Sequence, residues 1–185
     1  MTRILLMMMV FIATIGANAN AETTNAVLAQ VPFAKQPSAT RYAAGQLRAE
    51  HIKALVDADV RRVIDLTTAR ETPGFDWRAA IEQAGMIYAA LPIDGKGGLT
   101  RDNVRAFDAL LSKAGEDITL VHCASANRVG ALVALRAAWI DGATPEQAIA
   151  EGERWGLKGL RDTVALQLAE RPTAGHAATA RTPFP

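Results

Sequence analysis

From Val129 to Ile140 the chain is apolar at nearly every position, with Arg136 the exception. A helix that is hydrophobic all round keeps no face for water and is buried against a sheet. The run just upstream, Ile118-Thr119-Leu120-Val121-His122, is short and β-rich. Strand, loop and buried helix therefore follow in order. Two more runs of this kind, Arg62-Val63-Ile64-Asp65-Leu66 and Met86-Ile87-Tyr88-Ala89-Ala90-Leu91, are bounded by Gly, Pro or charged residues. Helical patterns lie between them. Ile52, Leu55 and Val56 share a face over about 47–58, and Val104, Phe107 and Leu111 recur at i, i+3 and i+7, behind Thr100 as N-cap. Gly142 ends the buried helix. Thr144-Pro145-Glu146-Gln147 then supplies an N-cap, a proline at the first helical position and a capping-box glutamine, opening helices over 145–155 and 158–169. Strands alternating with helices predict an α/β fold in three layers, with a mostly parallel central sheet flanked by helices.

A length of 185 residues fits one domain with end segments. Residues 1–21 read as a secretory signal peptide: Arg3 is the positive start, Ile4 to Ile15 the apolar run, and Ala19-Asn20-Ala21 the small-x-small site, with cleavage after Ala21. That apolar run is short of the roughly 20 residues a spanning helix needs, so no stable membrane insertion is expected after cleavage. The mature protein is expected to be periplasmic or secreted. Residues 22–40, with Pro32 and Pro37, read as an extended mature N-terminus, 41–170 as the folded domain, and 171–185, rich in Ala, Thr, Pro and Gly, as a disordered tail.

The net charge of +1, without a block of like charges, excludes nucleic-acid binding and a polybasic membrane surface. Three histidines and one cysteine cannot build a conventional zinc site without several carboxylates, so no metal and no cofactor is expected. In an oxidising compartment an odd cysteine is either intermolecular or a reactive free thiol. Nothing in the residues selects an oligomeric state or a natural substrate.

The chemistry concentrates in Val121-His122-Cys123-Ala124-Ser125-Ala126-Asn127-Arg128-Val129-Gly130. A strand ends at the cysteine, small residues follow, and the buried helix begins near the arginine. Ligands of open α/β sheets sit at the carboxyl ends of strands. There, loop amides from Ala124 to Val129 and the helix N-terminus converge on an anion, and the same positive field stabilises a thiolate at Cys123. Arg128 adds a permanent fork-shaped charge suited to paired oxygens. Ala124, Ser125 and Ala126 are small enough to let the backbone approach a ligand. His122 is expected to aim a ring nitrogen at backbone groups around the loop.

His-Cys followed by four residues and Arg resembles the active-site loop of the beta-lactamase-hydrolase-like protein, phosphatase-like domain family, within the tyrosine and dual-specificity phosphatase superfamily. Tyr42-Ala43-Ala44-Gly45-Gln46, Val63-Ile64-Asp65-Leu66 with Glu71, Leu91-Pro92-Ile93 with Leu99-Thr100, Arg128-Val129-Gly130-Ala131-Leu132 and Gly156-Leu157 extend the resemblance over residues 40–160. It implies a cysteine-phosphatase-like fold. It also implies that Cys123 attacks phosphorus, that Arg128 and the loop amides hold the equatorial oxygens, and that a phosphorylated small molecule or phosphoprotein is the substrate. Asp94, in Asp94-Gly95-Lys96-Gly97-Gly98, is the implied general acid. Val129 stands where the superfamily places Ser or Thr, and Ala126 where the nearer family often has Gly, so a positive φ there carries a conformational cost. The four-residue gap also resembles the rhodanese loop, which implies sulfur transfer through a persulfide. A non-catalytic anion-binding module is the third reading.

Overall fold

The computed structural model describes residues 30–170; the expected signal peptide and tail lie outside them. Five short strands, β1 (Lys35–Ser38), β2 (Arg41–Ala44), β3 (Arg62–Asp65), β4 (Ile87–Ala90) and β5 (Thr119–His122), form one sheet in the order β1-β2-β5-β3-β4. β1 runs antiparallel to β2, and every other pairing is parallel. The α/β fold with a mostly parallel central sheet is the one expected. β5 lies in the middle, with β2 and β3 on either side. All four of its residues are buried, as a parallel strand covered on both faces requires.

Because strand side chains alternate between faces, the sheet feeds two cores. Ala43, Ile64 and Val121 pack with α3 (Arg101–Ala114), α4 (Asn127–Trp139), α5 (Pro145–Arg154) and α6 (Arg161–Ala169). Tyr42, Ala44, Val63 and Leu120 face the other way, against α1 (Ile52–Asp57) and α2 (Trp77–Gln83). Those are the three layers.

Local chemistry sets the helix ends. The Asn103 N–H donates to the Thr100 hydroxyl at 3.2 Å, and Thr144 and Gln147 close a reciprocal capping box at 3.0 and 3.3 Å. α6 starts at Arg161 rather than 158, and in the turn before it the N–H groups of Lys158 and Leu160 donate to the Asn127 side chain. The segment expected to be helical over 47–58 begins as a 3-10 turn, Ala49–His51, before α1. α2, capped by Asp76, and β1 were not legible in the sequence.

α4 and α5 meet at two glycines. A Cβ on Gly130 would lie 2.2 Å from the Leu157 nitrogen, and one on Gly152 would lie 2.6 Å from the Gly130 carbonyl oxygen. Side chains are excluded there by backbone, which fixes how closely α5 and its following turn press against the start of α4.

Candidate active site

Neighbouring strands hold the carboxyl end of β5 from both sides. The Cys123 N–H donates to the Ala44 carbonyl at 3.2 Å, and the Leu66 N–H donates to the His122 carbonyl at 2.9 Å. Cys123 thus leaves the sheet at its carboxyl edge, where α/β folds bind ligands. Its side chain belongs to the α4 face and is 1% exposed.

The following loop closes against the end of β2. Gly45 and Ser125 form an isolated antiparallel bridge, and the Gln46 N–H donates to the Ala124 carbonyl at 3.1 Å. Ala124 and Ser125 are exposed, whereas Ala126 is buried and turns the chain into α4 with a left-handed φ of 62°. That conformation costs an alanine about 1 kcal/mol, so the strain anticipated at this position is present. Gly156 accommodates it. At φ 105°, a Cβ there would lie 2.7 Å from that of Ala126, and only glycine lets the turn after α5 rest on the alanine methyl. Ala126 offers no side-chain oxygen to cap α4. It leaves the first-turn amides and the positive end of the helix dipole to an external acceptor.

Arg128, the second residue of α4, has its side chain buried rather than turned to bulk water. Its Nη1 donates to the carbonyls of Leu66 (3.2 Å) and Ile93 (2.8 Å) and to Glu71 Oε2 (2.9 Å). Its Nη2 donates to the second Glu71 oxygen, completing a bidentate pair. Burial alone would lower the Arg128 pKa, but the hydrogen bond it donates to Glu71 and the negative charge of Glu71 and Cys123 raise it above its ordinary value. Cys123 and Arg128 thus flank the four-residue turn between β5 and α4. The Arg128 hydrogen bond, helped by Thr68, holds Glu71 down from 4.5 to about 2 despite partial burial; the Thr68 N–H and hydroxyl donate to the same carboxylate at 2.8 and 3.1 Å.

Asp94 follows Ile93, whose carbonyl Arg128 holds, so the backbone entering the Gly-rich loop is tied to the guanidinium. The Asp94 side chain is 84% exposed and lies 3.8 Å from Arg70. It stands one residue beyond the Ile93 carbonyl that Arg128 holds. Asn127 and Val129 turn their side chains elsewhere. Asn127 Oδ1 accepts the N–H groups of Lys158 (2.9 Å) and Leu160 (3.3 Å), and Val129 is fully buried in the core. Only their backbone amides remain to meet a ligand.

His122 differs from expectation. Neither ring nitrogen makes a hydrogen bond, so none reaches the loop backbone. Nε2 lies 3.4 Å from Asp65 Oδ1, and the ring faces Trp77 with centroids 6.1 Å apart. Strand alternation explains this: consecutive residues point to opposite faces, so His122 must face away from the Cys123 side. Burial lowers its pKa to about 4, which leaves the ring neutral at pH 7. Asp65 on the same face accepts from the Thr67 N–H (2.7 Å), the Thr67 hydroxyl (2.6 Å) and the Tyr88 hydroxyl (2.7 Å). Sequence reasoning gave this cluster no role; its one signal was a carboxylate inside an apolar strand. Glu71 entered only through the family resemblance, although an acidic residue in the loop beyond β3 was visible.

No protein-family model matches the chain, and no curated protein sequence matches it. Solved structures do. A protein from Shewanella putrefaciens CN-32 assigned to the phosphatases (DUF442) is 20% identical, covering 77% of this chain and 95% of its own, with a TM-score of 0.62. PTPMT1 in complex with PI(5)P is 20% identical over 74% of this chain and 94% of its own, with a TM-score of 0.57. Kinase-associated phosphatase carrying serine in place of its catalytic-site cysteine is 16% identical over 76% of this chain and 94% of its own, with a TM-score of 0.54. The chain has the fold of the tyrosine and dual-specificity phosphatases. In that cysteine-phosphatase-like fold, Cys123 and Arg128 occupy the turn from the central strand into the buried helix, and Glu71 and Ile93 secure the guanidinium from the two neighbouring loops.

Proposed function

We propose that this chain is an exported, cysteine-dependent phosphatase that hydrolyses phosphoesters through a thiophosphate intermediate on Cys123. The observation that carries it is the buried Arg128 guanidinium, held by Glu71 and by the Leu66 and Ile93 carbonyls at the start of the helix that follows Cys123 and the central strand. Two proteins of the same fold lend support: one is a phosphatase with a catalytic-site cysteine, and another is seen with a phosphoinositide. Export rests on residues 1–21 alone.

The thiolate of Cys123 attacks phosphorus, and the bond to the leaving oxygen breaks. With both Nη1 protons and one Nη2 proton of Arg128 engaged, Nε–H and the other Nη2–H form a side-on fork for two equatorial oxygens. The amides of Ala124 to Val129 stabilise the charge that develops on them. Asp94 protonates the leaving oxygen, which requires its exposed loop to close over the site. Water then releases phosphate from the sulfur. The substrate is a phosphorylated small molecule or phosphoprotein.

One observation favours a second reading, sulfur transfer through a Cys123 persulfide. The loop spans only four residues between Cys123 and Arg128, and it is drawn tight by the left-handed Ala126 over a sulfur 1% exposed. A paired assay separates the two: an aryl phosphate, and thiosulfate with cyanide, both on reduced protein. Phosphate release that vanishes in Cys123→Ser and falls about 100-fold or more in Asp94→Asn supports the phosphatase. Phosphate release surviving Cys123→Ser refutes it. Cyanide-dependent thiocyanate formation, lost in Cys123→Ser and untouched by Asp94→Asn, moves the assignment to a sulfurtransferase. Phosphate binding without either turnover leaves an anion-binding module.

A further inference from the structure

The two edges of the sheet are built differently. β1 carries Lys35 and Pro37, and its register with β2 shifts between Lys35 and Ser38. A charge, a proline and an irregular register keep an edge strand from pairing with another chain. β4, at the other edge, has none of these. It lies within residues 86–93, a stretch without a charge, and its first side chain, Ile87, is 50% exposed. Half of its backbone is free. The Ile87 and Leu91 N–H groups donate to the Arg61 and Asp65 carbonyls. Because successive residues of a strand turn their N–H and C=O groups to opposite sides, Ile87, Ala89 and Leu91 bond β3 while Tyr88 and Ala90 hold theirs outward. Among the described residues nothing bonds these outward groups.

Side chains alternate as well. Leu91 packs against the core on the α4 side and Tyr88 against the core on the α2 side, which puts Ile87 and Ala89 with Leu91, and Ala90 with Tyr88. On the α2 side the Arg78 guanidinium lies 5.2 Å from the centroid of the Tyr88 ring. Asp76 caps the start of α2 and lines a groove with Ala90 and Pro92. These features fit a second copy of the same strand. An antiparallel pairing about a two-fold axis at Ala89 sets Tyr88 against the partner's Ala90, and Ala90 against the partner's Tyr88, so every outward N–H and C=O gains a bond. Ile87 then faces the partner's Leu91, and an exposed isoleucine is covered by an apolar side chain. The axis needs a small residue, because two copies of Ala89 meet as a non-hydrogen-bonded pair with Cα atoms about 4.5 Å apart. The same rotation exchanges the levels of Tyr88 and Ala90, which brings Arg78 toward the partner's Asp76.

We propose that this chain forms a two-fold symmetric dimer through β4, joining two five-stranded sheets into one. The inference is independent of the phosphatase reading. Sedimentation equilibrium of the purified protein across a concentration series should give twice the chain mass. Ala90→Pro removes an outward N–H that the sheet does not use, and Ile87→Lys puts a charge on the seam. Each should return the protein to the chain mass with its circular dichroism unchanged. The register is read by cross-linking in a Cys123→Ser background, where the introduced thiol is the only one. Ala89→Cys places two thiols within disulfide reach across the axis and should give a covalent dimer under oxidised glutathione. Ile87→Cys holds them roughly 14 Å apart and should not. The chain mass at every concentration overturns the proposal. So does a dimer that survives both Ala90→Pro and Ile87→Lys, or one that cross-links through Ile87→Cys and not through Ala89→Cys. Where Ala90→Pro does not fold, Ile87→Lys and the two cysteine variants decide.

Discussion

Replacing Glu71 with glutamine removes the carboxylate that grips Arg128 while keeping nearly the same shape. Depression of Glu71 from 4.5 to about 2 corresponds to about 3 kcal/mol of favourable interaction in the folded state. The Glu71 side chain is 29% exposed, so solvent screening trims this to about 2 kcal/mol. The buried arginine left behind retains the Leu66 and Ile93 carbonyls, which keeps the loss below that of a stranded, fully buried charge. The sign of the pH dependence follows. Glu71 has a folded pKa below its unfolded one, so its contribution is complete above about pH 5 and disappears as pH falls toward 2. Urea unfolding of wild type and Glu71→Gln should differ by about 2 kcal/mol at pH 7, and the gap should close progressively between pH 5 and 2. A gap under about 0.5 kcal/mol at pH 7, or one of constant size down to pH 3, would show that Glu71 does not hold Arg128 as an ion pair.

Two further substitutions test how the loop is supported. Gly130→Ala puts a methyl 2.2 Å from the Leu157 nitrogen and 2.5 Å from the Gly152 oxygen. Because these are backbone atoms, the helix crossing must open, at a cost of about 3 kcal/mol and a drop of about 10 °C in Tm; a thermal melt within 2 °C of wild type contradicts the close approach. Asn127→Ala strips the acceptor from the Lys158 and Leu160 N–H groups, costing about 1–2 kcal/mol, and Asn127→Asp, which keeps that oxygen, restores most of it in the same urea titration.

Much of the architecture was written into local pattern. A helix apolar on all sides, strand runs rich in β-branched residues, the Thr100 cap and the Thr144–Gln147 box each depend on neighbours a few residues away, so they can be read without the rest of the molecule. β1 and α2 escaped because they lack that pattern: β1 is a mostly solvent-facing edge strand, and α2 buries only Trp77 and Ile81. Their existence is a consequence of the sheet edge and core that receive them.

Adjacency along the chain is enough to specify that a cysteine follows a buried strand and that an arginine opens the helix behind it. Where the guanidinium points depends on contacts far along the chain. Its partners, Glu71, Leu66 and Ile93, stand 57, 62 and 35 residues away, and parallel strands place the loops that bear them at the same edge of the sheet. His122 was likewise settled in three dimensions: strand alternation turns it from the cysteine, and the packing of Asp65 and Trp77 decides what it meets. Local sequence specifies which groups exist, while long-range strand pairing specifies which of them share a site.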